Sequence, residues 1–288
     1  MTTTLAPPSP PTRQPVHLFQ KLGELYSRRE TIRFLVTSNL KAGHRDKALG
    51  RLWGLLDPLL FMLVYLFIFG FSSFRQVHDK PGGTIEFILF LLCGIISWRF
   101  FDGALNSATS CIRTNRGLIH EINFPKAIFP TSACLARLSD FFWGLVALLV
   151  IMLAIGRQHF TPFLLWVPLI VVVQLVFTLG LSYLIAFLGA FFADTANLVA
   201  VGLRFLFYFS PVFYRVSKAE RGIIPVEYLT LFMLNPIACF FEAYRDCILR
   251  GHSPDPVHLL YVVGLAIVAF FGGFYVFIRG EGHFAKYI

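Results

Sequence analysis

Long apolar runs constrain this sequence more than any other feature. The run from Leu52 to Phe74, LWGLLDPLLFMLVYLFIFGFSSF, is long enough to cross a bilayer as one helix. Only 14% of the 288 residues are charged and 56% are hydrophobic, a composition that soluble domains of this size do not show. Nine of the 25 lysines and arginines precede Leu52, and basic flanks stay in the cytoplasm, so the N-terminus is predicted to lie inside.

Six apolar segments are predicted to span the membrane, which makes the fold class an all-α membrane protein. They cover approximately residues 52–74, 84–110, 127–155, 162–192, 198–214 and 257–278. Because the number of spans is even, the C-terminus is predicted to return to the cytoplasmic side.

The residues before the first span divide into two parts. Residues 1–16, MTTTLAPPSPPTRQPV, are predicted to be a disordered cytoplasmic tail and residues 17–51 an amphipathic interface region, with the membrane domain at 52–288. Apolar residues recur at helical spacing at Leu18, Leu22, Leu25, Ile32 and Val36. Arg29 interrupts this stripe, so a break in the helix is expected there. The helix either lies in the cytoplasmic membrane interface or packs on a partner, and the neighbouring span favours the interface.

The segment from residue 215 to 256 is too long for a turn between two spans. Its two apolar pieces, 228–234 and 237–244, are each too short to cross, and Asn235-Pro236 separates them. This pattern favours a re-entrant or surface-lying pair of half-helices on the external side, since irregular backbone at membrane depth must be buried in protein.

One continuous span over residues 228–249 is the alternative. It would bury three charges, at Glu242, Arg245 and Asp246. Helical spacing would then let Glu242 pair with Arg245. Asp246 would pair with Arg250 in the same way.

Charged residues inside the spans come mostly in pairs. Arg99 and Asp102 lie three residues apart on one helical face, so mutual neutralisation is the simplest interpretation. Arg137 and Asp140 repeat this spacing. Arg204 has no acid within four residues, so it either meets Asp102 or Asp140 on another span or faces a hydrated conduit and an anionic substrate.

The sequence offers no recognisable catalytic chemistry. All eight histidines fall in loops or at span ends, no GxxxxGK[ST] phosphate-binding loop is present, and no cluster of metal ligands occurs. The five cysteines lie in or beside apolar segments without a CxxC pair and are interpreted as packing residues. The net charge of +9 comes from basic residues at membrane boundaries, which does not fit a nucleic-acid-binding face. We therefore predict no catalytic residue, no metal, no cofactor and no nucleic-acid partner.

Aromatic side chains make up 16% of the residues. Rings can line a path for sugars, although they also fill the contacts between helices. The candidates for lining a conduit, together with Arg204, are Tyr65, Trp98, Phe100, Phe101, Phe205 and Tyr208.

Five stretches form a pattern in their order along the chain. They are LGRLWGLLDPLLFMLVYLFIFG (49–70), CGIISWRFF (93–101), GLIHEINFPKAIFP (117–130), FSPVFY (209–214) and LNPIACFFEAYRDCILRG (234–251). In these stretches the sequence resembles the membrane permease subunits of type-2 ABC exporters, especially those that export O-antigen, capsular polysaccharide or teichoic acid.

The resemblance implies a set of partners. It implies a homodimer of this chain with two copies of a separate ATP-binding cassette subunit, which would hold ATP and Mg²⁺. The implied substrate is an undecaprenyl-linked polysaccharide that passes between the protomers in the bacterial inner membrane. Membrane lipid and periplasmic or outer-membrane export components are the further partners that the family implies.

The resemblance also implies roles for particular residues. The helix that couples to the ATPase would include Asn115, Arg116, Leu118, Ile119, His120 and Glu121, and a second contact would include Asp194 and Asn197. External gate helices at 226–250 would include Asn235, Pro236, Glu242, Arg245 and Asp246. At the substrate entrance, Arg28, Arg29 and Arg33 would attract pyrophosphate or else anchor the helix to lipid headgroups.

Other functions are compatible with the same residues. A permease of this class can export a small drug or a lipid. A membrane-embedded glycan transferase would act through Asp57, Asp102 or Asp140 and would turn over without an ATPase partner. A passive channel would conduct in lipid without ATP.

Overall fold

The fold consists of helices and the connections between them. The computed structural model describes residues 18–44, 53, 56–57, 59–64, 67, 83–121, 125–155, 160–214 and 232–284, with the backbone alone at 43–44, 83–85, 120–121 and 155. No strand occurs among these residues, so the all-α class predicted from the sequence is confirmed.

The helices are numbered here in chain order within the described ranges. They are α1 (Leu18–Ser27), α2 (Arg29–His44), α3 (Gly83–Thr114), α4 (Arg116–Glu121), α5 (Ile128–Ile155), α6 (Val167–Phe191), α7 (Thr195–Phe209), α8 (Pro236–Arg245) and α9 (Pro256–Glu281). A 3₁₀-helix at Pro162–Trp166 precedes α6, and a π-helix at Asp246–Arg250 continues α8. The described residues between 53 and 67 are also helical.

Within the described ranges, four helical segments are long and apolar enough to cross a membrane. They are Glu86–Thr114, Ile128–Ala154, Pro162–Phe191 and Pro256–Glu281. The predicted fifth span coincides with α7, which has only 15 residues. The predicted first span, at 52–74, lies largely outside the described residues, and the predicted tail at 1–16 lies wholly outside them.

Close helix packing builds the centre of the bundle. Helix α3 lies against α5 and α6, and α6 lies against α9. A Cβ atom at Gly273 of α9 would lie 2.0 Å from the carbonyl oxygen of Gly180 on α6, so only glycine allows these two backbones to approach this closely. The four segments therefore form one connected bundle with two ends, called here the α4 end and the α8 end after the short helices found there.

The N-terminal helices lie against the α4 end of the bundle. Arg28 separates α1 from α2, which confirms the predicted break at this point. Leu22 and Ile32 are partly buried against the cluster that contains Leu35, Ile128 and Phe277. The apolar stripe thus packs on the chain's own bundle, an arrangement that neither sequence-based alternative included, since spacing alone does not say which surface covers a stripe.

Helix α8 begins at the break predicted from Asn235-Pro236. The Asn235 side chain accepts a hydrogen bond from the Ile237 N–H (3.0 Å) and donates one to Ser210 Oγ at the end of α7 (2.9 Å). Gly251, in the left-handed conformation with φ 64°, ends the π-helix beside Thr161. At ten residues plus a five-residue π-turn, this element is shorter than a span.

Candidate functional site

A large cleft runs along one side of the bundle. Its volume is about 1020 Å³, and it is bounded by α3, α5, α7, the end of α2 and residues 53–61. On α3 its lining extends from Ile95 to Thr114, about 29 Å along the helix axis, which is close to the thickness of a bilayer's hydrocarbon core. The cleft therefore extends along most of the distance between the two ends of the bundle.

The lining is polar for a helical membrane protein. Its polar residues are Asn39, Asp57, Arg99, Asp102, Asn106, Ser107, Ser110, Thr114, Asn115, Arg137, Asp140 and Arg204. Charged side chains within spans usually face a protein interior or a hydrated cavity and mark the path of a substrate or ion. This cleft is for that reason the candidate functional site.

The pairing of Arg99 differs from the sequence prediction. Arg99 Nη2 donates to Asp57 Oδ2 at 2.6 Å, and its guanidinium carbon lies 5.0 Å from the centroid of the Phe61 ring. The predicted partner Asp102 makes no ion pair within 4 Å among the described residues. The prediction was wrong because a carboxylate 42 residues earlier approaches closely enough to form this ion pair.

The second predicted pair is present. Arg137 Nη1 lies 3.5 Å from Asp140 Oδ2, and Arg137 Nε donates to Ser107 Oγ on α3 at 2.9 Å. Arg204 lines the same cleft from α7 and has no ion-pair partner in the described part of the chain. The first prediction for Arg204, an ion pair with an acid on another span, is therefore not observed within the described residues. The second, that Arg204 faces a conduit, agrees with its place in the cleft lining.

The structure places the predicted conduit residues in different surroundings. Trp98, Phe100, Arg204 and Tyr208 border the cleft. Phe101 is buried in the core, with its ring stacked 6.1 Å from that of Phe177, and does not reach the cleft. Phe205 is exposed on another face of α7, and Tyr65 lies outside the described residues.

A second group of charges is buried in and after α8. Arg245 is fully buried; its Nη1 donates to Glu242 Oε1 (2.9 Å), and its Nη2 donates to the Val212 carbonyl (2.9 Å). Its guanidinium carbon lies 3.5 Å from the centroid of the Phe90 ring on α3. Arg250 donates to Glu242 Oε2 (2.8 Å) and to Asp246 Oδ1 (2.5 Å). Both ion pairs anticipated from helical spacing are thus present, in an element too short to span.

The arginines of this group control the ionisation of Glu242. Burial by itself raises the pKa of the Glu242 carboxyl, but Arg245 and Arg250 together outweigh burial and hold that pKa below its usual value of 4.5. Burial raises the pKa of Asp246, and its bond to Arg250 offsets only part of this effect. Glu242 is therefore the carboxylate that balances the buried Arg245.

A buried hydrogen-bond network joins α8 to α3 and α6. Tyr244 Oη donates to Gln174 Oε1 at 2.8 Å, and Gln174 Nε2 donates to the hydroxyl and carbonyl oxygens of Ser97 at 2.9 and 3.0 Å. Sequence analysis missed this network. A single glutamine in the apolar run 167–177 was the available signal, because a buried amide needs partners on a neighbouring helix.

The predicted coupling residues lie at the α4 end. Arg116 and Leu118 are exposed on α4, Ile119 is buried, and Asn115 donates to the Cys111 carbonyl at 2.7 Å. Asp194 and Asn197 are exposed where α6 gives way to α7. The side chains of His120 and Glu121 lie outside the described part of the structure, and the coupling role of all these residues stays a prediction.

The turn that follows α4 is tied to the end of α9. The Lys126 N–H donates to Glu281 Oε1 at 2.5 Å, and Lys126 Nζ donates to the Glu281 carbonyl at 2.9 Å. Phe284, just beyond α9, is fully buried against Phe187 and Phe277. Movement of the turn would therefore displace the end of α9 and, through the contact of Phe284 with Phe187, affect α6.

The predicted entrance arginines do not line the cleft. Arg33 is exposed and donates to Glu30 at 3.0 Å, and Arg29 lies 5.5 Å from the Tyr26 ring. Arg28 is exposed in the turn between α1 and α2. The α2 residues that do border the cleft are Asn39 and Leu40, at the other end of that helix.

Cysteines and potential metal ligands are the other residues that could form a site. The five cysteines are all buried and free, which confirms their interpretation as packing residues. No group of three or more potential metal ligands occurs within the described ranges.

Comparison with known proteins identifies relatives along most of the sequence. The sequence model of the ABC-2 type transporter family matches residues 30–249. The O-antigen export system permease protein RfbA of Myxococcus xanthus is 29% identical over 265 residues, which cover 92% of this chain and 98% of that protein. A protein of the same name from Klebsiella pneumoniae is 27% identical over 81% of this chain and 86% of its own length. The polysialic acid transport protein KpsM of Escherichia coli is 23% identical over 84% of this chain and 90% of its own length.

Proposed function

This chain belongs to the ABC-2 type transporter family, and on that premise we propose that it is the permease of an exporter that moves undecaprenyl-linked polysaccharide across the bacterial inner membrane. The observation that carries the proposal is the match to O-antigen export permeases over 81–92% of the chain. Like the other members of its family, the chain is a membrane-embedded transport subunit and works with an ATP-binding subunit.

The cleft suits a carbohydrate substrate. Sugar hydroxyls need donors and acceptors, and the lining offers serine, threonine and asparagine side chains beside the two ion pairs. Ring faces of sugars pack on aromatic side chains, and the exposed Tyr208 borders the same space. We take this lining as the part of the path that one protomer supplies.

The proposed assembly is a homodimer with two ATP-binding subunits, which hold ATP and Mg²⁺. Six spans are proposed for each protomer: the four long helices, the apolar run at 52–74, whose described residues are helical, and the apolar run at 198–214, most of which α7 covers. Both termini then lie in the cytoplasm with the α4 end, where α4 and residues 193–197 meet the ATPase. Residues 226–250 form the external gate.

Depletion of the protein in cells tests this function. We expect surface polysaccharide to disappear while completed lipid-linked chains build up at the inner leaflet, because synthesis continues and translocation stops. Shorter lipid-linked intermediates would instead support a transferase. If neither pool changes, the polysaccharide assignment is wrong, and export of a small drug or lipid becomes the better hypothesis.

A further inference from the structure

Arg204 is the arginine of the described cleft lining that forms no ion pair. The described lining holds three arginines and three aspartates. Arg99 is bound to Asp57, and Arg137 lies beside Asp140. Asp102 is hydrogen-bonded with Asn106 and lies near both of those arginines. Arg204 therefore enters the cleft without a carboxylate among the described residues.

An arginine in this position needs water or an anion. Helix α7 packs against α3, and an isolated guanidinium at membrane depth is costly unless it faces a cavity or a counter-charge. Along the helix axis Arg204 lies about 14 Å from Thr195 and about 8 Å from Phe209. Its placement in the cleft satisfies the first requirement and leaves its donors free for a ligand.

The α7 face around Arg204 has room for such a ligand. The residues of α7 that line the cleft are Ala200, Leu203, Arg204, Phe207 and Tyr208, a helical stripe. Ala200, one turn before Arg204, leaves open space because its side chain is a single methyl group. Tyr208, one turn after it, is exposed and presents a ring and a hydroxyl group. An arginine fork between an open position and a tyrosine fits a phosphate group that carries a sugar.

We propose that Arg204 binds the phosphate of the polyprenyl carrier as the lipid-linked glycan passes through the cleft. The inference rests on the proposed function and adds to it a ligand contact on α7. Because Arg99 and Arg137 are each bound to an aspartate, Arg204 is the arginine of the described lining whose donors remain available to an anion.

Binding measurements on the intact complex with its ATP-binding subunit test the site. Native mass spectrometry in detergent would compare undecaprenyl phosphate, uncharged undecaprenol and phosphatidylglycerol. We expect the wild type to prefer undecaprenyl phosphate, and Arg204→Gln to bind it at least tenfold more weakly with no change for undecaprenol. Arg279→Gln, which removes an exposed arginine on α9, is the control and should leave all three affinities unchanged.

A second variant keeps Arg204 but engages its guanidinium group with an introduced carboxylate, so that it can no longer bind a phosphate. Ala200→Glu places a carboxylate four residues before Arg204, the spacing and order that favour a helical ion pair. We expect this variant to lose the preference for undecaprenyl phosphate and Ala200→Gln to retain it. Because Ala200→Glu leaves Arg204 in place, the test does not depend on the folding of Arg204→Gln.

Three results would overturn the inference. They are unchanged phosphate binding in both Arg204→Gln and Ala200→Glu, equal loss of undecaprenol binding, and equal binding of phosphatidylglycerol by the wild type. If any of these occurred while depletion still trapped lipid-linked glycan, the site would be wrong and the export function would stand. If depletion trapped none, the function itself would fail regardless of Arg204.

Discussion

Replacing Glu242 with glutamine should destabilise the protein far more than replacing an exposed glutamate at the same spacing from an arginine. Glu242 and Arg245 form a buried pair at 2.9 Å, with 9% and 1% of their side chains exposed. Glu30 and Arg33 form a pair at 3.0 Å with the same sequence spacing, and 74% of each side chain is exposed. The two pairs share the same spacing and nearly the same distance, so the variants differ in burial and in the second arginine, Arg250, that Glu242 also binds at 2.8 Å.

The expected loss in the free energy of unfolding depends on which contacts Arg245 retains in the variant. Breaking a buried ion pair costs about 3–5 kcal/mol, because the remaining charge stays desolvated. In Glu242→Gln, Arg245 keeps its bond to the Val212 carbonyl and its contact with Phe90, so we expect the lower end, about 3 kcal/mol. Glu30→Gln should leave the free energy of unfolding unchanged within error, because exposed pairs contribute little.

Unfolding in mixed micelles of a mild detergent and dodecyl sulfate would measure both variants against the wild type. A loss below about 1 kcal/mol in Glu242→Gln, equal to that in Glu30→Gln, would refute the reasoning, because it would mean that Arg245 is hydrated or otherwise compensated. The double variant Glu242→Gln, Arg245→Met is the internal check. It should be more stable than Glu242→Gln alone, since it removes the uncompensated cation.

Three further predictions follow from the same contacts. The pKa of Glu242 is held below 4.5, so its charge stabilises the fold above that pH. This stability is lost as the pH falls through the folded-state pKa. The difference in the free energy of unfolding between wild type and Glu242→Gln should therefore shrink in measurements taken from pH 7 down to about pH 3. Gly273→Ala should lower the free energy of unfolding by about 3 kcal/mol or abolish folding, because its Cβ would lie 2.0 Å from the Gly180 oxygen. The control Gly272→Ala, whose Cβ would have nothing within 4 Å, should elute from size exclusion like the wild type. Tyr183→Phe removes the hydroxyl that shares a 2.7 Å hydrogen bond with Thr131 and should lower the free energy of unfolding by about 1 kcal/mol, while Tyr275→Phe on an exposed part of α9 should not; equal values would contradict the role of that bond.

Local patterns in the sequence predicted the local structure well. Arg29 marked the break between α1 and α2, and Asn235-Pro236 marked the start of α8, because a charged residue in an apolar stripe and a proline act within one helical turn. The pairing of Arg137 with Asp140 also followed from spacing within one helix.

Contacts between distant segments could not be predicted in this way. Arg99 satisfied the spacing rule with Asp102, yet it binds Asp57, and nothing in the sequence shows which segment lies beside α3. Phe205 and Tyr208 lie on the same helix and were both candidates for the conduit, but Tyr208 borders the cleft and Phe205 is exposed on another face. Such differences depend on how helices rotate against each other, which many side chains decide together.

The charge content of residues 236–250 bears on the order in which the protein assembles in the membrane. This segment contains Glu242 and Asp246 against Arg245 and Arg250, so it enters the bilayer region as an electrically neutral unit. The remaining partners of Arg245, Phe90 and the Val212 carbonyl, belong to parts of the chain that are synthesised earlier. Residues 236–250 can therefore complete these contacts only after α3 and Val212 are in place, so we expect the burial of this short segment to be a late step of assembly.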